Sequence, residues 1–187
     1  MRVISGTCRG KKLIAPPGVT TRPTSDRVKE ALFSIIDSRI DFTDVRVLDI
    51  CAGTGSLGIE ALSRGALSCC FIENNTSSKA ILEKNILATC CQSRSEIIFT
   101  DVLKALHMIA ERGQCYDLVF FDPPYDSELY KRVFESPDLP GLLSSGSIIV
   151  AECSVRNRLS DSYGRLKRFD RREYGETALE LFAVEEK

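Results

Sequence analysis

From residue 45 onward the chain alternates short β-rich apolar runs with amphipathic helical stretches, and that alternation leaves few folds open. Parallel strands need a crossover between them, so a helix after each strand builds a mostly parallel sheet with helices on both faces. Runs at 45–50, 68–72, 96–100, 118–121 and 147–152 predict the strands, and stretches at 57–64, 77–88, 102–112 and 127–134 predict the helices. The final segment breaks the rule. Residues 165–172 and 177–184, on either side of Tyr174-Gly175-Glu176, predict an antiparallel hairpin closing one edge.

The first forty residues stand apart from this pattern. Residues 1–15 predict a short β-hairpin broken at Gly6 and Gly10, and Pro16-Pro17-Gly18 reads as a turn or linker. Thr24 or Ser25 is suited to cap a helix with the apolar face Val28, Ala31, Leu32, Ile35 and Ile36. The expected organisation is an extension over 1–40 in front of a main domain over 41–187.

Composition removes several function classes. No apolar run approaches the ~20 residues of a membrane-spanning helix, and the N-terminus lacks a basic start followed by an apolar stretch, so a cytoplasmic protein is expected. The eight cysteines occur singly or as adjacent pairs, never as Cys-x-x-Cys; they read as small apolar residues rather than as disulfides or metal ligands. No metal is expected, and a monomer is. Net charge is only −1, yet both ends are locally basic. Arg2, Arg9, Lys11, Lys12, Arg22, Arg27 and Lys29 oppose only Asp26 and Glu30 near the start, and residues 156–172 carry a second basic run. These runs are either solvated faces or contacts to a polyanion.

Between the first predicted strand and helix lies Asp49-Ile50-Cys51-Ala52-Gly53-Thr54-Gly55-Ser56-Leu57-Gly58. A glycine-rich strand-to-helix turn lets the backbone approach a ligand closely, with Ala52, Gly53, Thr54 and Gly55 at the contact. Gly53, Gly55 and Gly58 also satisfy the dinucleotide fingerprint, with Glu73 at the matching distance. A nicotinamide-dependent dehydrogenase therefore competes. Against it stands Asp49, whose carboxylate would repel a pyrophosphate but pair with the ammonium of a methionine moiety. Glu73, followed by Asn74, suits the ribose hydroxyls of either ligand. Asp101 is placed to accept from an adenine amino group, with Val102 packing on the ring. Asp49, Glu73, Asp101 and Asp122 each end a successive predicted strand, at the edge where open α/β sheets bind ligands.

The fourth strand runs into Asp122-Pro123-Pro124-Tyr125. Two prolines fix φ, remove two N–H donors and hold the preceding carbonyl in a set direction, which makes a rigid acceptor turn. Such a turn suits a planar amino nitrogen, whose lone pair is delocalised into its ring. The Asp122 carboxylate and a backbone carbonyl, that of Pro123, can hold its two N–H groups and favour a pyramidal nitrogen aimed at a sulfonium methyl. Tyr125 would stack on the extruded base, an interaction of about 1–3 kcal/mol.

With these residues in place the chain resembles the bacterial 16S ribosomal RNA guanine-N2 methyltransferases, the methyltransferase D family of the small ribosomal subunit, nearly end to end. The resemblance is carried by Ile4-Ser5-Gly6, Arg9-Gly10-Lys11-Lys12-Leu13, Arg22-Pro23-Thr24-Ser25-Asp26-Arg27-Val28-Lys29-Glu30-Ala31-Leu32-Phe33, the glycine turn through Ala66, the tetrapeptide, and Tyr174-Gly175-Glu176-Thr177. It implies a Rossmann-like class I methyltransferase fold, S-adenosyl-L-methionine as cofactor, and methylation of one guanine N2 in 16S rRNA within the assembling 30S subunit. It also implies that the extension holds RNA and covers the cofactor, with Arg9, Lys11, Lys12, Arg22 and Arg27 as RNA-binding residues. Tyr125 replaces the Phe of some members. Besides the dehydrogenase, methylation of a DNA amino group and a non-catalytic RNA-binding assembly factor remain as alternatives. The DNA reading lacks a domain for reading a duplex. His107, the single histidine, reads as structural.

Overall fold

The computed structural model describes residues 1–15, 26–124 and 128–185. Its strands are β1 (Arg46–Ile50), β2 (Ser68–Glu73), β3 (Ser95–Phe99), β4 (Tyr116–Phe121), β5 (Leu143–Ser154), β6 (Ser162–Tyr163), β7 (Leu166–Tyr174) and β8 (Thr177–Val184). They form one sheet in the order β3-β2-β1-β4-β5-β8-β7-β6. β1 to β5 pair in parallel, and β8, β7 and β6 add antiparallel at the β5 edge. The helices are α1 (Asp26–Asp37), α2 (Ser56–Arg64), α3 (Thr76–Ala88), α4 (Val102–Glu111) and α5 (Leu129–Phe134). The order of progress through the sheet reverses between β1 and β4, which opens a crevice at the C-terminal ends of those two strands.

Strand period two divides the core into two layers. Val47, Phe71, Phe120 and Val150 face α1, α2 and α3, while Leu48, Ile72, Phe121 and Ile149 face α4 and α5. By the same alternation Asp49, Glu73, Asp122 and Glu152 all leave the sheet on the α1–α3 side. Gly58 lies where α2 crosses β2: a Cβ there would come within 2.4 Å of Phe71 and 2.6 Å of Cys69 Sγ, so only glycine lets helix and sheet close up.

Several boundaries differ from the sequence reading. β5 begins at Leu143 rather than 147, and β6 is an addition, because a two-residue strand leaves no periodic signal. The N-terminal hairpin is reduced to a single bridge between Arg2 and Lys12, with Val3 N–H donating to Lys11 O and Gly10 N–H to Val3 O. The α1 face is rotated: Val28, Lys29, Leu32, Phe33 and Ile36 are buried, whereas Ala31 and Ile35 are half-buried. The rotation follows from Lys29, which points inward. Its ammonium donates to Arg2 O at 2.6 Å and Ser56 Oγ at 3.2 Å and pairs with Glu60 at 3.3 Å. Burial lowers its pKa against the pull of Glu60. Glu60, fully buried, also accepts from Ile4 and Ser5 N–H and from Arg64. This carboxylate ties the first residues to α1 and α2, and removing either partner of such a buried pair costs roughly 3–5 kcal/mol. The predicted caps Thr24 and Ser25, Pro16-Pro17-Gly18 and the predicted start of α5 at Ser127 lie outside the described residues.

The C-terminal basic run is largely consumed within its own hairpin. Arg168 and Arg171 point at the fully buried Glu180, at 2.5 and 3.0 Å. Lys167 pairs with Glu185, and Arg172 with Asp170. All eight cysteines are free, and five of them are buried: Cys8, Cys69, Cys70, Cys91 and Cys153. No helix among the described residues is long and apolar enough to cross a membrane.

Candidate active site

The turn after β1 is built from backbone that ordinary residues avoid. Cys51, Gly53 and Gly55 all have positive φ, at 62°, 56° and 76°, and Gly55 sits in the left-handed region as the cap of α2. A non-glycine residue held there, at the crevice, marks a turn fixed by its surroundings. Those surroundings are carboxylates. Asp49, 2% exposed, accepts from Gly58 N–H at 2.9 Å in the first turn of α2. Glu73 accepts from Gly53 N–H at 2.8 Å with one oxygen, and from Asn74 and Asn75 N–H at 2.8 and 2.7 Å with the other. One side chain thereby fixes the glycine turn to the β2–α3 turn. Asp101 caps α4 by accepting from Leu103 and Lys104 N–H.

Asp122 follows directly on β4, and its N–H still reaches Ile50 O of β1 at 3.4 Å, which holds it against the glycine turn. Asp122 is half-buried, Pro123 buried and Pro124 exposed. Burial raises the Asp122 pKa well above the carboxylate range, and the charges of Glu152 and Asp49 raise it further. Burial likewise lifts Asp49 to about 8, with the Gly58 bond opposing and Glu73 adding to the shift. Cys51 reports the convergence of these groups. Its thiol is pushed up to about 12 by burial first, then by Glu73, Asp122, Asp49 and Asp101 together.

The residues expected around a cofactor thus gather at one sheet edge. Ala52, Gly53, Thr54 and Gly55 form the turn, and Asn74, exposed, follows Glu73. Val102 is buried in the α4–α5 layer. An edge lined by carboxylates suits a ligand that offers ammonium, hydroxyl and amino donors, and it repels the pyrophosphate of a dinucleotide. Among the described residues no three His, Cys, Asp or Glu side chains are grouped to hold a metal ion. Tyr125 and Arg22 lie outside the described residues.

The expected RNA-binding side chains are more scattered. Arg9, Lys11, Lys12 and Arg27 are exposed, but the turn carrying Arg9 docks at the far ends of α2 and α3. Thr7 N–H donates to Ser63 O, and Lys11 Nζ to Ala88 O at 3.0 Å. Gly6 allows this docking, since a Cβ there would lie 1.8 Å from Ser63 O. His107 is on the surface of α4, 3.4 Å from Asp138. Sequence reasoning missed Glu152, which is 6% exposed at the end of β5 beside Asp122.

A family model described as "Conserved hypothetical protein 95" matches residues 1–183. Ribosomal RNA small subunit methyltransferase D of Escherichia coli (strain K12) is 35% identical over 159 residues, covering 85% of this chain and 77% of that protein. The chain belongs to the small-subunit rRNA methyltransferase D family. The structure of the Escherichia coli protein yhhF superposes with a TM-score of 0.85 at 32% identity, covering 100% of this chain and 99% of that one. SMU.776, solved in complex with SAH, shares the fold alone, with a TM-score of 0.69 at 14% identity over 85% of this chain and 49% of that one. The chain is thus a member of a family of rRNA methyltransferases.

Proposed function

We propose that the chain methylates the exocyclic N2 of one guanine in 16S rRNA, acting as a monomer in the cytoplasm on the assembling 30S subunit. The observation that carries this reading is Asp122, held at the β1–β4 crevice against the glycine turn and on the same sheet face as Asp49 and Glu73. Bound S-adenosylmethionine supplies a sulfonium methyl as the electrophile. Asp49 and Glu73 would hold its ammonium and ribose hydroxyls, with Asp101 at the adenine amino group. Asp122 and the Pro123 carbonyl would hold the two N2–H groups of the extruded guanine and bring its lone pair out of conjugation. Forming the new N–C bond would break the methyl–sulfur bond, leaving a neutral thioether, and the nitrogen would have to lose a proton. We assign that proton to Asp122, whose carboxylate would already accept from one of the two N2–H groups.

The expected RNA contacts are Arg9, Lys11, Lys12, Arg22 and Arg27, with the extension over 1–40 covering the cofactor and Tyr125 stacking on the base. Among them Arg27, on the first turn of α1, stands on the same layer as the crevice, whereas Arg9 and Lys11 stand at the opposite helix ends. Mass-spectrometric mapping of rRNA methylation in a strain lacking the protein tests the reading. Loss of one N2-methylguanine, restored by the wild type and not by Asp122→Ala, is the expected result. An intact modification pattern would refute it.

A further inference from the structure

We propose that Asn85 is a positioning residue that couples the N-terminal extension to the glycine turn, so that a ligand in that turn and RNA on the extension strengthen each other's binding. The proposal rests on the reading that the turn receives the cofactor and the extension meets the rRNA. Asn85 lies in the last turn of α3 and is fully buried. Asparagine has no propensity advantage in a helix, and this side-chain amide makes its bonds outside its own helix. Its Oδ1 accepts from Ile14 N–H at 2.8 Å, and its Nδ2 donates to Ile14 O at 3.1 Å. The other Nδ2 hydrogen goes to Thr54 O at 2.9 Å. One amide therefore joins both backbone groups of an extension residue to the residue between Gly53 and Gly55.

The turn is held on either side of Gly55. Before it, Glu73 accepts from Gly53 N–H and Asn85 donates to Thr54 O. After it, Lys29 donates to Ser56 Oγ and also to Arg2 O. Arg2 and Lys12 form the bridge of the extension, so both of its arms reach the turn, one through Lys29 and the other through Asn85. α3 leaves the turn little slack at Gly55, where a Cβ would lie 2.4 Å from Leu82 Cδ1. A buried amide that gave up either partner would leave a donor or acceptor unsatisfied, so Ile14 and Thr54 are constrained to move together. A ligand packed on residues 52–55 restrains Thr54, and Asn85 passes that restraint to Ile14, which leads into the stretch containing Arg22. The extension is then already ordered when RNA arrives, and RNA binding loses less conformational entropy. Linkage makes the effect reciprocal.

The test measures the affinity of the full chain for small-subunit particles from a strain lacking the protein, with and without saturating S-adenosylhomocysteine. Wild type should bind the particles about fivefold or more tightly in its presence, a usual size for coupling between two sites. Asn85→Leu, which keeps the side-chain volume and removes the amide, should bring that factor close to one. Asn85→Asp should do the same, because it keeps the acceptor for Ile14 N–H and turns an oxygen towards two carbonyls. A factor preserved in both variants overturns the proposal, whatever their absolute affinities, because a purely structural role weakens binding with and without S-adenosylhomocysteine alike. Hydrogen exchange in the wild type gives a measurement that needs no variant to fold: S-adenosylhomocysteine should slow exchange of Ile14 N–H, and unchanged exchange overturns the proposal. S-adenosylhomocysteine that binds without altering wild-type affinity for the particles overturns the coupling alone. A wild type that binds no S-adenosylhomocysteine, or no particles, overturns the reading beneath it as well.

Discussion

The two halves of the sheet's C-terminal edge surround their carboxylates differently. On the β1–β3 side Asp49, Glu73 and Asp101 each accept from backbone N–H groups of the neighbouring turns. Those acids shape the loops and are fixed before any ligand arrives. On the β4–β5 side Asp122 and Glu152 stand beside each other, and Glu152 raises the proton affinity of Asp122. The first half is a preorganised cradle; the second brings two acidic side chains together, one of which raises the proton affinity of the other. In the proposed function, cofactor binding belongs to the first half and methyl-group chemistry to the second.

The sharpest break in that division is Asp122→Ala. It should lower the single-turnover methylation rate by roughly 10²–10³-fold, the usual cost of removing one preorganised transition-state contact; a rate within a few fold of wild type would refute the role. Next is Glu73→Gln, which removes the charge from three backbone N–H contacts. It should weaken S-adenosylmethionine by about tenfold and cost about 1.5–3 kcal/mol of stability, read by titration and thermal melting. A shift in the rate without either change would move Glu73 into the other half.

Asp49 gives a smaller effect with a defined sign. Its pKa in the free protein is about 8, raised above its ordinary value. The folded state therefore holds a proton that the unfolded state has lost, and this group's contribution to stability falls as pH rises from the usual carboxylate range through about 8. A ligand ammonium favours the charged form. Cofactor affinity should climb with pH towards about 8 and fall again above it as the ligand ammonium loses its own proton, and Asp49→Asn should flatten the climb. A wild-type affinity that does not change with pH would remove Asp49 from the ammonium site. The smallest effect is expected from replacing Arg9, Lys11 and Lys12 together. Their position at the far helix ends predicts a modest loss of RNA affinity with a shallower salt dependence; an unchanged slope would assign them to docking the N-terminal turn alone.

Much of this arrangement is legible in the sequence, because the signals are local and periodic. Alternating apolar runs mark the five parallel strands, and acids at the strand ends mark the edge. Glu152 obeys the same rule at the end of the fifth predicted strand but is easily passed over, since no motif follows it. The Lys29–Glu60 pair is hidden for a different reason. A lysine and a glutamate on amphipathic helices look solvent-facing, and only the packing of the N-terminal residues and α1 onto α2 shows that both are buried. The basic run at 156–172 misleads in the opposite direction, because its partners Glu180 and Glu185 lie on the next strand or beyond it.

Equilibrium binding of S-adenosylmethionine to Asp122→Ala tests the division between the halves most directly. The account predicts an affinity within about twofold of wild type while turnover collapses. Cofactor affinity lost in step with turnover would show that Asp122 belongs to the cradle, and the separation of the two halves would be wrong.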